Sequence, residues 1–211
     1  MSMLSFDTNG DFSQNYKFLI GSILPRPIAV VSTLNVDGTN NLAPFSFFTA
    51  VSAKPMIIAF SPLVRSATGE IKDTPRNILR EKEFVVHIVS ESIANKVNLC
   101  STELPYGQDE FAFSGLTPID SELVKPKRIK ESLIHFECKF RDHLDYGLHP
   151  GGGQIMTGEV IKVHIDQSIY DNGRINTQKL QPIGRGAGND WFRCTDVFEM
   201  ERLMKAQIQG T

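Results

Sequence analysis

Apolar and polar positions alternate through much of the chain. Ile134 to Arg141 is the clearest case: Ile134, Phe136, Cys138 and Phe140 fall on one face, and His135, Glu137, Lys139 and Arg141 on the other. Gly158 to Asp166 repeats the pattern, with Val163 and Ile165 set against Lys162, His164 and Asp166. A period of two marks a strand with one buried and one wet face, which puts His135 and His164 toward solvent. Three further runs read as strands. Pro27–Leu34 is rich in β-branched residues and is followed by the turn signal Asp37-Gly38. Met56–Phe60 lies between Pro55 and Pro62, and Glu83–Val89 is a third apolar run.

Helical signals are short. Thr74-Pro75 fits a cap followed by proline at the first helical position, with a helix running to about Glu81. Glu91–Cys100 places Ile93, Val97 and Cys100 on one stripe, while Pro126 breaks up Glu122–Lys130. The pattern predicts a sheet closed into a barrel or sandwich, with small helices around it. No internal repeat or linker divides the chain, so a single domain over residues 1–211 is expected.

Composition narrows the partners. The chain has 211 residues, enough for a core without disulfides or metal. A net charge of -2 argues against a general electrostatic grip on nucleic acid or an anionic membrane. Cys100, Cys138 and Cys194 are odd in number and widely spaced, which fits reduced thiols rather than a disulfide framework or a zinc site. No apolar run is long enough to span a bilayer, and Met1–Gln14 has no signal-peptide core. A cytoplasmic protein is expected.

Asn41–Thr49 is unusual for a strand: it is apolar and aromatic, yet Pro44 interrupts it. Proline cannot donate to a ladder, so it marks an edge, a bulge or a bend. Backbone groups left without ladder partners need others, and a flat heteroaromatic rim with carbonyls and ring nitrogens would satisfy several. Taken alone, the segment reads first as an edge strand packed on the core. Near Lys72-Asp73-Thr74-Pro75-Arg76-Asn77, a helix N-terminus with a hydroxyl and flanking cations suits a phosphate. Taken alone, it too reads first as an ordinary capped helix. The five histidines show no ligand spacing, and Cys138 faces the core. Ser46 lacks a nucleophile elbow. Asp109-Glu110 reads as an exposed acidic pair in a loop or cap, and His149–Gly153 as a flexible loop.

In order, these segments carry a resemblance. It rests on Pro25-Arg26-Pro27-Ile28-Ala29-Val30-Val31-Ser32-Thr33, on Asp37-Gly38 with Asn41–Phe48, and on Lys72-Asp73-Thr74 with Asn77. It continues through Glu83–Val86, Asp109-Glu110-Phe111, Gly115-Leu116-Thr117, Glu137-Cys138, Gly158-Glu159-Val160 and Arg185-Gly186. The chain resembles the flavin-reductase-like family of FMN-binding split-barrel proteins over roughly residues 21–202. The resemblance implies a mainly β fold: a six-stranded antiparallel Greek-key split barrel with small peripheral helices, forming a homodimer with flavin at its interface. It implies FMN ahead of FAD, and NADH or NADPH as reductant. Ser32, Thr33, Asn41, Ala43, Pro44, Phe45, Ser46 and Ser61 would contact the ring or ribityl chain. Lys72 and Thr74 would take the phosphate, with Arg65 as a helper. No acid or base residue is required, because the cofactor carries the reaction.

One departure stands out. Many reductases of the family carry an Asp-His pair just before the Gly-Glu-Val strand, beside the nicotinamide. Here Gly152-Gly153 occupy that place and His149 is the nearest histidine. Two further readings follow: a non-catalytic FMN-binding electron-transfer module, and a barrel serving only for oligomerisation or interaction.

Overall fold

The computed structural model describes residues 2–202. After a helix α1 (Phe12–Ser22), the strands β1 (Ala29–Leu34), β2 (Asn40–Phe45), β3 (Phe48–Ala53), β4 (Met56–Phe60), β5 (Glu83–Ile88), β6 (Ile134–Asp145) and β7 (Gln154–Ile165) form one antiparallel sheet. Its order is β2-β1-β5-β6-β7-β4-β3. Helices α2 (Asp73–Glu81), α3 (Ala94–Leu99) and α4 (Glu110–Ser114) lie around it. A small three-stranded sheet joins Arg26–Pro27, Ile183–Arg185 and Trp191–Arg193. No helix among the described residues is long and apolar enough to cross a membrane.

The sheet has seven strands rather than the expected six, and the barrel is not closed. The extra strand has a local cause. The chain bends at Ser46-Phe47 and splits what looked like one segment into β2 and β3. These two strands are the opposite edges of the sheet. The gap between them is therefore bridged covalently by the bend, while a 2.7 Å bond from the Ser61 N–H to the Phe47 carbonyl extends the β3–β4 ladder into the bend.

Residues of β1 are buried on both faces, which its β-branched sequence suits. One face meets Phe45, Phe60, Phe84, Cys138, Met156 and Ile78 inside the barrel. The other meets Leu42, Val97, Phe111 and Ile129 under α3 and α4. The β1–β2 hairpin turns at Asp37-Gly38 as expected, with Gly38 at φ 84° and Asp37 accepting from the Thr39 N–H.

The expected wet face of β6 and β7 is covered only in part: Lys139, Arg141 and Asp166 are exposed as expected, but its middle is not. His135 is buried, Glu137 is fully buried and His164 is half-buried. The covering layer is the proline-broken segment around 120–132. The Glu122 and Leu123 N–H groups donate to Glu137 at 2.8 and 2.6 Å, and the His135 Nε2 donates to the Ser132 carbonyl at 2.8 Å. Alternation reports that two faces differ, and here polar side chains meet backbone N–H and carbonyl groups instead of water. Cys138 does face the core as expected, and burial pushes its thiol well above its usual pKa.

Candidate flavin-binding groove

The groove begins at the free edge of β2. In an antiparallel ladder a residue's N–H and C=O point to the same side. The Leu42 N–H points outward, to Glu110 Oε2 at 2.9 Å. Position 44, two residues on, points the same way and is the proline that has no N–H to leave unpaired. Pro44 thus marks an edge strand, one of the readings the sequence offered.

Three adjoining cavities follow this edge and the bend. One of about 120 Å³ lies between Asn41, Ala43, Pro44, Phe45, Lys72, Thr74 and the Cys100–Leu104 stretch, with Arg65 and Glu110 also in its wall. A second, about 160 Å³, lies over Pro44, Phe45, Ser46, Phe47 and Ser61. The third, about 430 Å³, runs beneath α1 and is walled by Phe12, Tyr16, Leu19, Phe47, Leu63 and Val64. Lys72 lines all three.

The polar residues at this junction are fixed from behind. Asn41 Nδ2 donates at 2.9 Å to both Thr33 Oγ1 and Thr74 Oγ1. Asn77 Nδ2 donates to Thr33 Oγ1 at 3.1 Å and to Asn35 Oδ1 at 2.8 Å. All five side chains are buried. The network ties the first turn of α2 to the β1–β2 hairpin, so the groove's floor is set by side-chain hydrogen bonds as well as by the sheet.

Helix α2 starts earlier than expected. Lys72, not Thr74 or Asp73, is its N-cap, and Pro75 is its third residue. Thr74 has its hydroxyl in the buried network and makes no cap. The cap position brings Lys72 to the cavity junction, with its ammonium 5.9 Å from the Phe45 ring centre. Burial lowers its pKa. It has no salt-bridge partner among the described residues, whereas Arg65 pairs with Asp73 at 3.1 Å and with Glu103 at 3.5 Å. An unpaired, half-buried ammonium beside the N–H groups of a helix start suits an anion.

Ten of the eleven residues expected to hold the cofactor come together or brace the groove, Thr33 only from behind. Ser32 does not: it lies on the other face of β1, fully buried, and donates to the Lys127 carbonyl. Glu110 departs from the expected exposed acidic pair. It is half-buried, and desolvation raises its pKa to about 7 despite the Leu42 N–H that opposes the shift. Asp109 caps α4, donated to by the Phe111 and Ala112 N–H groups. The aromatic wall of α1 was also missed. Its residues Phe12, Tyr16 and Leu19 have helical spacing, but lie in a stretch whose polar residues hid the stripe.

The loop at His149–Gly153 is packed rather than free. A Cβ on Gly151 would lie 2.7 Å from the Phe12 ring, and one on Gly152 only 2.0 Å from the Gly147 carbonyl oxygen. A Cβ on Gly153 would lie 2.8 Å from Leu63.

Residues 20–179 match the flavin reductase like domain family. The chain belongs to that family. It is 39% identical to a protein of Aquifex aeolicus over 196 residues, 92% of this chain and 96% of that one. Its fold is similar to nitrilotriacetate monooxygenase component B from Bacillus cereus, with a TM-score of 0.90 and 35% identity over 95% of this chain and 100% of that one. It is also similar to 2-nitrobenzoate 2-nitroreductase NbaA of Pseudomonas fluorescens, with a TM-score of 0.85 and 27% identity over 96% and 98% of the two chains. Family membership implies flavin binding and flavin oxidoreductase chemistry. The unpaired Lys72 and the outward backbone groups of β2 are donors and acceptors of the kind a flavin nucleotide needs.

Proposed function

We propose that this chain is an FMN-binding oxidoreductase, a single split-barrel domain that works as a homodimer and passes hydride or electrons through the flavin. The observation that carries this reading is the position of Lys72. It stands unpaired where an apolar, aromatic-walled groove meets the first turn of α2. The phosphate of FMN supplies the anion for Lys72, Thr74 and the turn's N–H groups, with Arg65 alongside. Phe45 and Phe47 supply apolar wall for the ring, and Ser46, Ser61 and the outward groups of β2 supply polar contacts at its rim. Bound FMN accepts a hydride or electrons and passes them on. FMN is favoured over FAD because the phosphate cavity is small, about 120 Å³, and ends against Cys100–Leu104.

NADH or NADPH is the reductant in this reading. A second reading is favoured by one observation. The place of the family's Asp-His pair is filled by Gly152-Gly153, where no side chain fits without moving backbone or Leu63. An electron-transfer flavoprotein that takes its electrons from another protein accounts for that place.

The test is the absorbance spectrum of the purified protein, followed anaerobically after mixing with NADH or NADPH. Flavin bands that bleach rapidly are expected for the reductase. Flavin bands that persist leave the electron-transfer protein. A colourless protein that takes up no added FMN overturns both.

A further inference from the structure

Arg26 is only 4% exposed, and every one of its hydrogen bonds ends on a neutral oxygen. Its Nη1 donates to the carbonyls of Ile20 at 2.6 Å and Ile23 at 3.2 Å, near the C-terminal end of α1. Its Nη2 donates to the Gly186 carbonyl at 2.6 Å, beyond the small sheet. Its Nε reaches Ser46 Oγ at 3.4 Å, and its Cζ lies 5.9 Å from the Phe47 ring centre. It makes no salt bridge among the described residues; its titratable neighbours are Tyr16, a neutral phenol at neutral pH, and another cation, Arg185. Burial lowers its pKa, yet a guanidinium stays charged at neutral pH.

A buried charge without a counter-charge is costly. A purely structural clamp between α1 and the small sheet would need the three carbonyl contacts and no more. The fourth contact and the aromatic contact point the same group at Ser46-Phe47, the bend that lies in the wall of the ring cavity. Two other cations wall the groove: Arg65, which is paired with Asp73 and Glu103, and Lys72, which lines the ring cavity as well as the phosphate cavity. Arg26 thus sets a positive charge directly behind the bend whose Ser46 and Phe47 wall the ring cavity.

We propose that Arg26 is a positioning residue that holds the Ser46 bend and biases the groove toward the reduced, negatively charged flavin. The inference rests on the FMN reading given above. Reduction puts electron density on the ring, and a fixed cation in a desolvated site stabilises that form over the neutral oxidised one. Tighter binding of the reduced form raises the midpoint potential of the bound flavin above that of free FMN.

The experiment measures anaerobic binding of oxidised FMN and of dithionite-reduced FMN to the full chain, its Arg26→Gln and Arg26→Lys variants, with thermal melts to establish folding. The wild type is expected to bind reduced FMN at least tenfold more tightly than oxidised FMN. Arg26→Gln is expected to lose tenfold in that ratio, which is about 30 mV in a two-electron potential. Arg26→Lys keeps the charge and is expected to hold the ratio within threefold of wild type. A folded Arg26→Gln protein with an unchanged ratio overturns the proposal. If that variant does not fold, the wild type decides, because equal affinity for the two forms also overturns it. A wild type that binds neither form overturns the FMN reading and this inference together, whereas equal binding overturns this inference alone.

Discussion

Glu110 accepts the outward N–H of Leu42 at 2.9 Å, closing a ladder donor that the free edge of β2 would otherwise leave open beside Pro44. The same carboxyl lines the cavity that holds Lys72 and Thr74, and desolvation raises its pKa to about 7. Phosphate bound in that cavity adds negative charge and raises it further, so binding takes up a proton. FMN affinity should therefore fall as pH rises from about 7 to 9, a range in which the phosphate itself is already dianionic. Titrations of Glu110→Gln should give a flat profile and tighter binding at pH 8. Glu110→Ala should also leave the Leu42 N–H unpaired and lower stability by about 1–3 kcal/mol, measured by urea denaturation.

Lys72 supplies the unpaired ammonium at the cavity junction. A hydrogen bond to a charged group contributes about 1.5–3 kcal/mol, so Lys72→Ala should weaken FMN binding by roughly ten- to a hundredfold. Lys72→Glu should weaken it further by placing like charge at the phosphate. Riboflavin lacks the phosphate and serves as the control. Its affinity should change little in either variant, and equal losses for the two ligands would move the phosphate away from Lys72.

What could be read from the chain depended on how local the cause was. The strands, the Asp37-Gly38 hairpin and the core-facing Cys138 follow from alternation and turn chemistry within a few residues. The groove's main residues were legible as an ordered series around Pro44 and Lys72. Long-range partners were not. His135 and Glu137 are polar at alternate positions, and nothing in β6 announces the N–H groups of residues 122 and 123 or the Ser132 carbonyl that meet them. Ser32 and Thr33 are equally polar neighbours, and only the pleat sends one to Lys127 and the other to Asn41 and Asn77. Glu110 owes its burial to residues far from it in the chain, and Arg26 is a conspicuous residue whose contacts lie at Ile20, Ser46 and Gly186.

Gly158 sits in β7 opposite Phe140 and Ile58, where the strand register shifts. An added Cβ would lie 2.2 Å from Phe84 Cζ, inside the barrel core. Phe84 is fully buried and packs edge-on against Phe60 at 5.8 Å, so it has little room to retreat. Gly158→Ala should therefore destabilise the fold by about 1–3 kcal/mol through overpacking, seen as a lower melting temperature. Because the glycine touches no cavity of the groove, FMN affinity at 10 °C should be unchanged in the protein that remains folded.

His87 and His135 stand in edge-to-face contact at 5.2 Å between centroids, and both are buried as neutral rings. The His87 Nδ1 donates to the Val30 carbonyl at 2.9 Å, while its Nε2 accepts the Ile129 N–H at 3.0 Å, which fixes the neutral tautomer. Burial depresses their pKa values to about 3 and about 4, from 6.5. The unfolded chain then binds more protons than the folded one at any pH between the two values. Stability conferred by keeping these rings neutral is complete above about pH 6.5 and is lost as pH falls toward the folded values, at roughly 1.4 kcal/mol per pH unit per group. Glu110 acts in the opposite sense: its pKa is raised from 4.5 to about 7, so its contribution is greatest below 4.5 and declines as pH rises through 7. Between pH 6.5 and 4.5 it offsets about one histidine. Below 4.5 the offset ends and the loss steepens. Urea denaturation from pH 7 to 4 should show a shallow decline followed by a steeper one. In Glu110→Gln the offset is gone, and the decline should be steep from pH 6.5 onward. A wild-type stability that stays level from pH 6.5 to 4 would mean that the two rings ionise without opening the layer formed by residues 120–132.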